Sequence, residues 1–148
     1  MSKYLVSVDK FIAAPAQELF DVVADPAMHP EIDGSGTVHT AHAAAPERLA
    51  LGARFGMGMK MGARYSMQNT VTEFEEGRLI AWQPRGGYTW RYRFVPVDGG
   101  TLVTEQWDAR TAKRRTIMGL LGFPRRNRRG ITATLHRLAA RHGDASDG

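Results

Sequence analysis

The segment from residue 127 to residue 142 constrains the fold most, because it is the only long stretch with a clean helical period. Its apolar positions recur at three- and four-residue intervals, at Ile131, Leu135, Leu138 and His142. Arg129, Arg137 and Arg141 fall on the opposite side. Pro124 suits the first turn of a helix, and Gly143 suits a left-handed C-terminal cap. We therefore predict a long C-terminal helix that packs its apolar face on a sheet.

Most of the chain before this helix has the pattern of β-strands. Strand candidates cover residues 4–12, 37–43, 53–61, 64–74, 79–83, 88–97 and 102–110. Short helices are predicted after Pro15 and Pro26, and Asp98-Gly99-Gly100 is a strong hairpin signal. This order predicts an α+β fold. It has a curved antiparallel sheet of about seven strands around the long C-terminal helix, with two short helices after the first strand.

The length of 148 residues is that of one domain, which we expect to span residues 1–143, with a disordered tail at 144–148. No apolar run reaches the roughly 20 residues of a membrane-spanning helix, and no leader peptide is recognisable. The absence of cysteine excludes disulfides and thiolate chemistry, and a cytoplasmic location is expected. Neither a cofactor nor a metal site is predicted, since His39 and His42 point to opposite faces of a strand.

Four segments of the chain, taken together, resemble one superfamily. They are the first strand with IAAPAQELFDVVADP, then LGARF, NTVTEFEEGRLIAW and the closing GFPRRNRRGITATLHRLA. Their order and spacing are similar to those of the helix-grip (SRPBCC) superfamily, which includes START-like lipid-binding domains and polyketide cyclase/dehydrase-like proteins. The resemblance implies a cavity between the sheet and the long helix. Members of the superfamily do not share one activity, so the resemblance carries the shape and not a reaction.

Methionine and aromatic residues alternate along several of the predicted strands. Phe55, Met57, Met59 and Met61 share one strand face, as do Tyr88, Trp90, Tyr92 and Phe94. Such faces either fill a large core or line an adaptable apolar pocket. For the pocket, the candidate ligand-binding residues are Phe20, Met57, Met59, Met61, Met67, Trp82, Trp90, Tyr92, Trp107, Leu121 and Leu135. We expect a cavity of at least about 300 Å³.

Candidates for catalysis are few, because no nucleophile elbow, phosphate loop or dinucleotide motif is present. Glu105 shares a strand face with Trp107 and is the first candidate for general acid/base work, with Glu105→Gln expected to lower turnover at least about a hundredfold. An inward glutamate paired with an arginine is the structural alternative. His29 and Tyr92 are further candidates, although a capping role for His29 is also open.

Two basic clusters flank the apolar residues 117–123 within the segment 113–129. This segment either makes a weak contact with an acidic membrane surface or is a solvated basic face beside a turn packed on the core. We expect this segment to border the cavity entrance and to be more mobile than the C-terminal helix, with residues 117–123 as a gate. No motif for specific nucleic-acid recognition is present.

The sequence thus favours a protein that binds a hydrophobic small molecule such as a lipid, a polyketide or an isoprenoid. One alternative is an enzyme of the polyketide cyclase/dehydratase type that uses acid/base groups in the cavity. The other is a regulatory or interaction module with a vestigial pocket. Whether a reaction is catalysed stays open, as does the choice between monomer and homodimer.

Overall fold

The computed structural model describes residues 3–41, 46–61 and 63–142, apart from the side chains at 39, 41 and 61. Its strands are β1 (Leu5–Ile12), β2 (Val38–Ala41), β3 (Arg54–Met61), β4 (Ala63–Glu75), β5 (Leu79–Pro84), β6 (Thr89–Val97) and β7 (Gly100–Asp108). Its helices are α1 (Ala16–Val23), α2 (His29–Ile32), α3 (Arg115–Leu120) and α4 (Phe123–Ala140), with a 3-10 turn at Pro26–Met28.

All seven strands form one antiparallel sheet in the order β1-β7-β6-β5-β4-β3-β2. Consecutive strands are neighbours from β2 to β7, and β1 closes against β7. The hairpin between β6 and β7 turns at Asp98-Gly99, where Gly99 has the left-handed φ of 82° that this turn needs. The register of β4 shifts between Val71 and Glu73, which adds local twist. The predicted α+β helix-grip fold is confirmed.

The long helix α4 packs its apolar face against β1 and β7. Ile131, Leu135 and Leu138 are completely buried on this face, as their spacing predicts. The helix begins at Phe123, a turn before the predicted periodic segment, and Pro124 occupies its first turn. Apolar burial of this kind, at roughly 25 cal/mol per Å², is what holds an otherwise strongly basic helix on the sheet.

One helix near the C-terminal end was not predicted, and some predictions concern residues that the structure does not describe. Helix α3 was not predicted, because six residues with two exposed apolar side chains carry no helical period. The Gly143 cap and the tail at 144–148 lie outside the described residues, as do residues 42 and 43 of the second predicted strand. Among the described helices, none is long and apolar enough to cross a membrane.

Candidate functional site

A cavity of about 560 Å³ lies between the sheet and the first turns of α4. This volume is within the range of small-molecule sites, roughly 300 to 1,000 Å³. The sheet supplies most of its wall through Phe55, Met57, Met59, Tyr65, Met67, Asn69, Trp82, Pro84, Tyr88, Trp90 and Trp107. All three tryptophans of the chain are in this wall. Intrinsic fluorescence therefore reports directly on the cavity.

The methionine-rich wall follows from strand alternation. Met57 on β3 stands opposite Met67 on β4, and Met59 stands opposite Tyr65 in the same ladder. Side chains two residues apart on a strand share a face, so these residues lie together on the concave side. Thioether side chains adapt to varied apolar shapes, which gives this half of the cavity a soft surface.

The opposite rim consists of the loop between α2 and β2 together with the start of α4. Asp33 holds this loop in shape, since its carboxylate accepts hydrogen bonds from the amides of Ser35, Gly36 and Val38 at 3.0 to 3.3 Å. The Gly34 amide donates to the Thr134 hydroxyl at 2.9 Å, which ties the loop to α4. The rim is thus fixed to the helix by hydrogen bonds.

The close approach of this loop to α4 also explains why residue 130 is a glycine. A β-carbon at Gly130 would lie 3.1 Å from that of Ser35, a contact tighter than most side chains tolerate. Gly130 is in the cavity wall, with Phe123, Arg126, Asn127 and Arg129 from the same helix. A helix-interior glycine costs about 1 kcal/mol relative to alanine, and here it allows the loop to sit directly on the helix.

His29 is a buried ionisable residue of the cavity wall. Its Nε2 lies 2.8 Å from the Val23 carbonyl oxygen, so this nitrogen carries the proton and donates. The ring stacks on Trp82, with centroids 4.9 Å apart, and meets the edge of Phe55. Burial lowers the pKa of His29. In the neutral ring Nδ1 is an acceptor, and no hydrogen bond reaches it from the residues that the structure describes.

Glu105 and Tyr92 form a second polar group, which lies outside the cavity wall on the same strand faces as Trp107 and Trp90. They stand opposite each other on β7 and β6, and both are buried. Burial raises the pKa of Glu105 well above its usual range, and hydrogen bonding from the Tyr92 hydroxyl offsets this only in part. Oε1 of Glu105 has no hydrogen-bond partner in the described part of the chain. No arginine pairs with this carboxyl among the described residues, so burial favours its protonated form.

The candidate ligand-binding residues divide into two groups. Met57, Met59, Met67, Trp82, Trp90 and Trp107 lie in the cavity wall, while Phe20, Tyr92, Leu121 and Leu135 do not. The side chain of Met61 lies outside the described part of the chain. A role in binding a ligand stays a prediction for the first group.

The four residues outside the wall have different surroundings. Phe20 packs edge-on against Phe74 and Phe94 in the core, and Tyr92 is buried beside Trp82 and Phe94. Leu135 follows Gly130 by about 7.5 Å along the helix axis, where α4 has already closed on the sheet. Leu121 is exposed after α3.

Of the three catalytic candidates, only His29 lies in the cavity wall. Tyr65 and Asn69 are also there and can offer hydrogen bonds to a ligand. The sequence interpretation missed the rim residues Ser35 and Thr37, whereas Arg126, Asn127 and Arg129 belong to the segment 113–129 that was expected to border the cavity entrance. Gly130, inside the predicted helix, is a sequence signal near these residues, since a glycine there indicates a close approach of another part of the chain. His42 and the side chain of His39 fall outside the described residues.

A curved sheet that grips a long helix over a largely apolar cavity defines a ligand-binding protein of the helix-grip class. Residues 4–143 match the family described as polyketide cyclase / dehydrase and lipid transport, and the chain belongs to that family. The resemblance to the SRPBCC superfamily is thereby confirmed.

Among proteins of similar sequence is the uncharacterized protein Rv0088 of Mycobacterium tuberculosis, with 37% identity over 134 residues. The match covers 86% of this chain but only 59% of that protein, so the chain spans somewhat more than half of its relative's length. The same values hold for the uncharacterized protein MT0096 of another strain of that species.

Solved structures share the fold at low sequence identity. Protein NE0264 of Nitrosomonas europaea has a TM-score of 0.74 at 14% identity, and the match covers 100% of this chain and 99% of that one. The AHSA1-like protein of Aeromonas hydrophila has a TM-score of 0.68 at 19% identity, with 97% and 94% covered. These two similarities carry the fold and no activity.

Proposed function

We propose that this protein binds a hydrophobic small molecule, of the lipid, polyketide or isoprenoid type, in the cavity between the sheet and α4. The observation that carries the proposal is the 560 Å³ cavity walled by aromatic and methionine side chains, with a few polar groups at His29 and Asn69. This combination of an apolar wall with few oriented polar groups is typical of small-molecule sites. The cysteine-free composition supports a cytoplasmic location as part of the proposal.

Native mass spectrometry of gently purified protein tests this proposal, with two variants on strand β4. Met67→Trp adds a large side chain on the cavity face, whereas Gln68→Trp adds the same side chain on the exposed face next to it. We expect wild type and Gln68→Trp to carry an extractable apolar adduct and Met67→Trp to lose it. After the adduct has been extracted, the fluorescent probe 1-anilinonaphthalene-8-sulfonate should bind wild type and Gln68→Trp more tightly than Met67→Trp.

Equal probe binding by all three proteins would refute the proposal, since the probe would then sit elsewhere on the surface. Loss of binding in both variants would also count against it, because an exposed substitution should leave the cavity open. Far-ultraviolet circular dichroism and thermal melting of each variant establish that the fold is retained.

A second function, acid/base catalysis of the cyclase or dehydratase type, is favoured by the geometry of His29. A neutral imidazole in the cavity wall has an acceptor at Nδ1, which is the form that removes a proton from carbon next to a carbonyl. Such a proton moves to Nδ1, the substrate becomes an enolate, and the same nitrogen returns the proton. Glu105 and Tyr92 are not part of the cavity wall, so His29 takes the role that the sequence assigned first to Glu105.

Deuterium exchange from D2O into a β-diketone, 1-phenyl-1,3-butanedione, measures this step without knowledge of the natural substrate. We expect wild type to accelerate exchange and His29→Gln to lower the acceleration at least about a hundredfold, with affinity for the probe within a few fold. Exchange that is equally fast in His29→Gln would remove this residue as the base. The third function, a module with a vestigial pocket, requires a filled core and gains no support from an open cavity.

A further inference from the structure

Helix α3 and the turn that follows it expose large apolar side chains. Ile117, Leu120 and Leu121 are 53%, 81% and 64% exposed, and Leu120 is the most exposed large apolar residue among those that the structure describes. The helix is held to the core by Met118, which is buried. Adjacent apolar side chains held in water on a short anchored helix indicate a contact surface.

The positive charge of the chain is concentrated around these apolar residues. Residues 109–143 contain ten Lys and Arg and no Asp or Glu, while the rest of the chain contains the other ten together with all fifteen acidic residues. Seven of the ten basic residues flank the exposed apolar group: Lys113, Arg114, Arg115, Arg125, Arg126, Arg128 and Arg129. Within the described residues none of the seven forms an ion pair, whereas Arg48, Arg91 and Arg110 do.

We propose that this corner, residues 113–129, docks on the surface of an anionic lipid bilayer. Ile117, Leu120 and Leu121 enter the boundary between headgroups and acyl chains, and the flanking cations contact acidic headgroups. Nucleic acid would neutralise the arginines but leave the leucines in water. A bilayer accommodates both sets of side chains at once, and each Lys or Arg near an anionic surface adds to binding.

Docking in this orientation brings the cavity to the membrane. Phe123, Arg126, Asn127 and Arg129 belong both to the corner and to the cavity wall, so the rim formed by α4 faces the lipid. Arg126 stacks on Phe123 at 4.3 Å, which keeps a cation at the point where the two surfaces meet. Entry of an apolar ligand from the bilayer through this rim rests on the proposed function, whereas docking itself does not.

Flotation with phospholipid vesicles tests the docking surface on the full chain. We expect wild type to bind vesicles of phosphatidylcholine with phosphatidylglycerol, to bind pure phosphatidylcholine far less, and to lose binding as salt rises beyond about 0.15 M. Leu120→Ser with Leu121→Ser should lower the partition coefficient at least about tenfold, since two exposed leucines no longer enter the interface.

Charge and control variants separate the contributions. Arg125→Gln with Arg128→Gln removes two cations outside the cavity wall and should weaken binding about fivefold for each arginine. Val95→Ser with Val97→Ser is the matched control, because these side chains are 50% and 43% exposed on β6, away from the corner. That control should bind anionic vesicles as wild type does.

Equal binding to neutral and anionic vesicles, or undiminished binding by the leucine variant, would overturn the proposal. So would preferential binding to a short DNA duplex that the arginine variant loses and the leucine variant keeps, which would make the corner a nucleic-acid surface. The apolar adduct in native mass spectrometry is measured without vesicles. Its absence together with vesicle binding would remove the cavity proposal and leave the docking surface in place.

Discussion

Glu105 should make the stability of this protein fall as pH rises. The carboxyl is 5% exposed, one of its oxygens has no hydrogen-bond partner among the described residues, and burial raises its pKa well above 4.5. The unfolded chain releases this proton near pH 4.5, whereas the folded protein keeps it. Raising the pH above that value therefore favours the unfolded state. Glu105→Gln replaces the acid with a neutral group of the same shape and removes this dependence.

The size of the effect follows from proton linkage. While the carboxyl is ionised only in the unfolded chain, each pH unit costs wild type about 1.4 kcal/mol of unfolding free energy. The free energy of Glu105→Gln minus that of wild type should therefore rise from about pH 5 upward by this amount per unit, until the folded protein also ionises. The test is the slope of this free-energy difference against pH. Contacts that the substitution removes change the difference by the same amount at every pH and do not affect the slope.

Urea denaturation followed by tryptophan fluorescence measures both free energies across this range. Trp82 and Trp107 are buried, so unfolding changes their emission, and urea leaves ionic strength unchanged. Glu73→Gln is a control of opposite sign. Hydrogen bonds from Arg91 at 2.7 and 2.9 Å lower the pKa of Glu73, so its contribution is present above pH 4.5 and is lost as pH falls.

A difference between Glu105→Gln and wild type that stays flat from about pH 5 to 8 would refute this reasoning, since the folded carboxyl would then be ionised like the unfolded one. A difference that shrinks with pH would mean that a cation stabilises the charge. An unchanged dependence of free energy on urea concentration in the variant establishes that the same surface is exposed on unfolding.

Three further predictions concern the loop, the histidine and the corner. Gly34→Ala should destabilise the fold by about 1 to 3 kcal/mol in urea denaturation, because the added carbon would overlap Ala133 and lie 2.5 Å from the Thr134 amide nitrogen; unchanged stability would show that the loop can shift. Burial lowers the pKa of His29, so wild type should lose stability as pH falls through 6.5, and His29→Gln should lose less by up to about 1.4 kcal/mol per unit. Amides of residues 117–123 should exchange faster with D2O than those of 131–140, and equal protection would exclude a mobile lid.

The parts of the fold that follow from local pattern could be read from the sequence. Helix α4 was found from the spacing of Ile131, Leu135 and Leu138, because a 3.6-residue period survives without knowledge of partners. The hairpin at Asp98-Gly99 and the inward side of β7 were found in the same way. Helix α3 was not found, since its six residues are held mainly by the burial of Met118 against distant parts of the chain.

Local sequence pattern could not predict which inward residues line the cavity and which pack in the core. Alternation alone placed Glu105 and Trp107 on one face of β7, and both are buried there. Yet Trp107 is part of the cavity wall and Glu105, two residues before it on the same face, is not. The rim depends on the approach of Gly34 to Thr134, two residues a hundred positions apart. Sequence periods report which face of an element avoids water, while the space between two faces is set by the angle and distance at which distant elements pack.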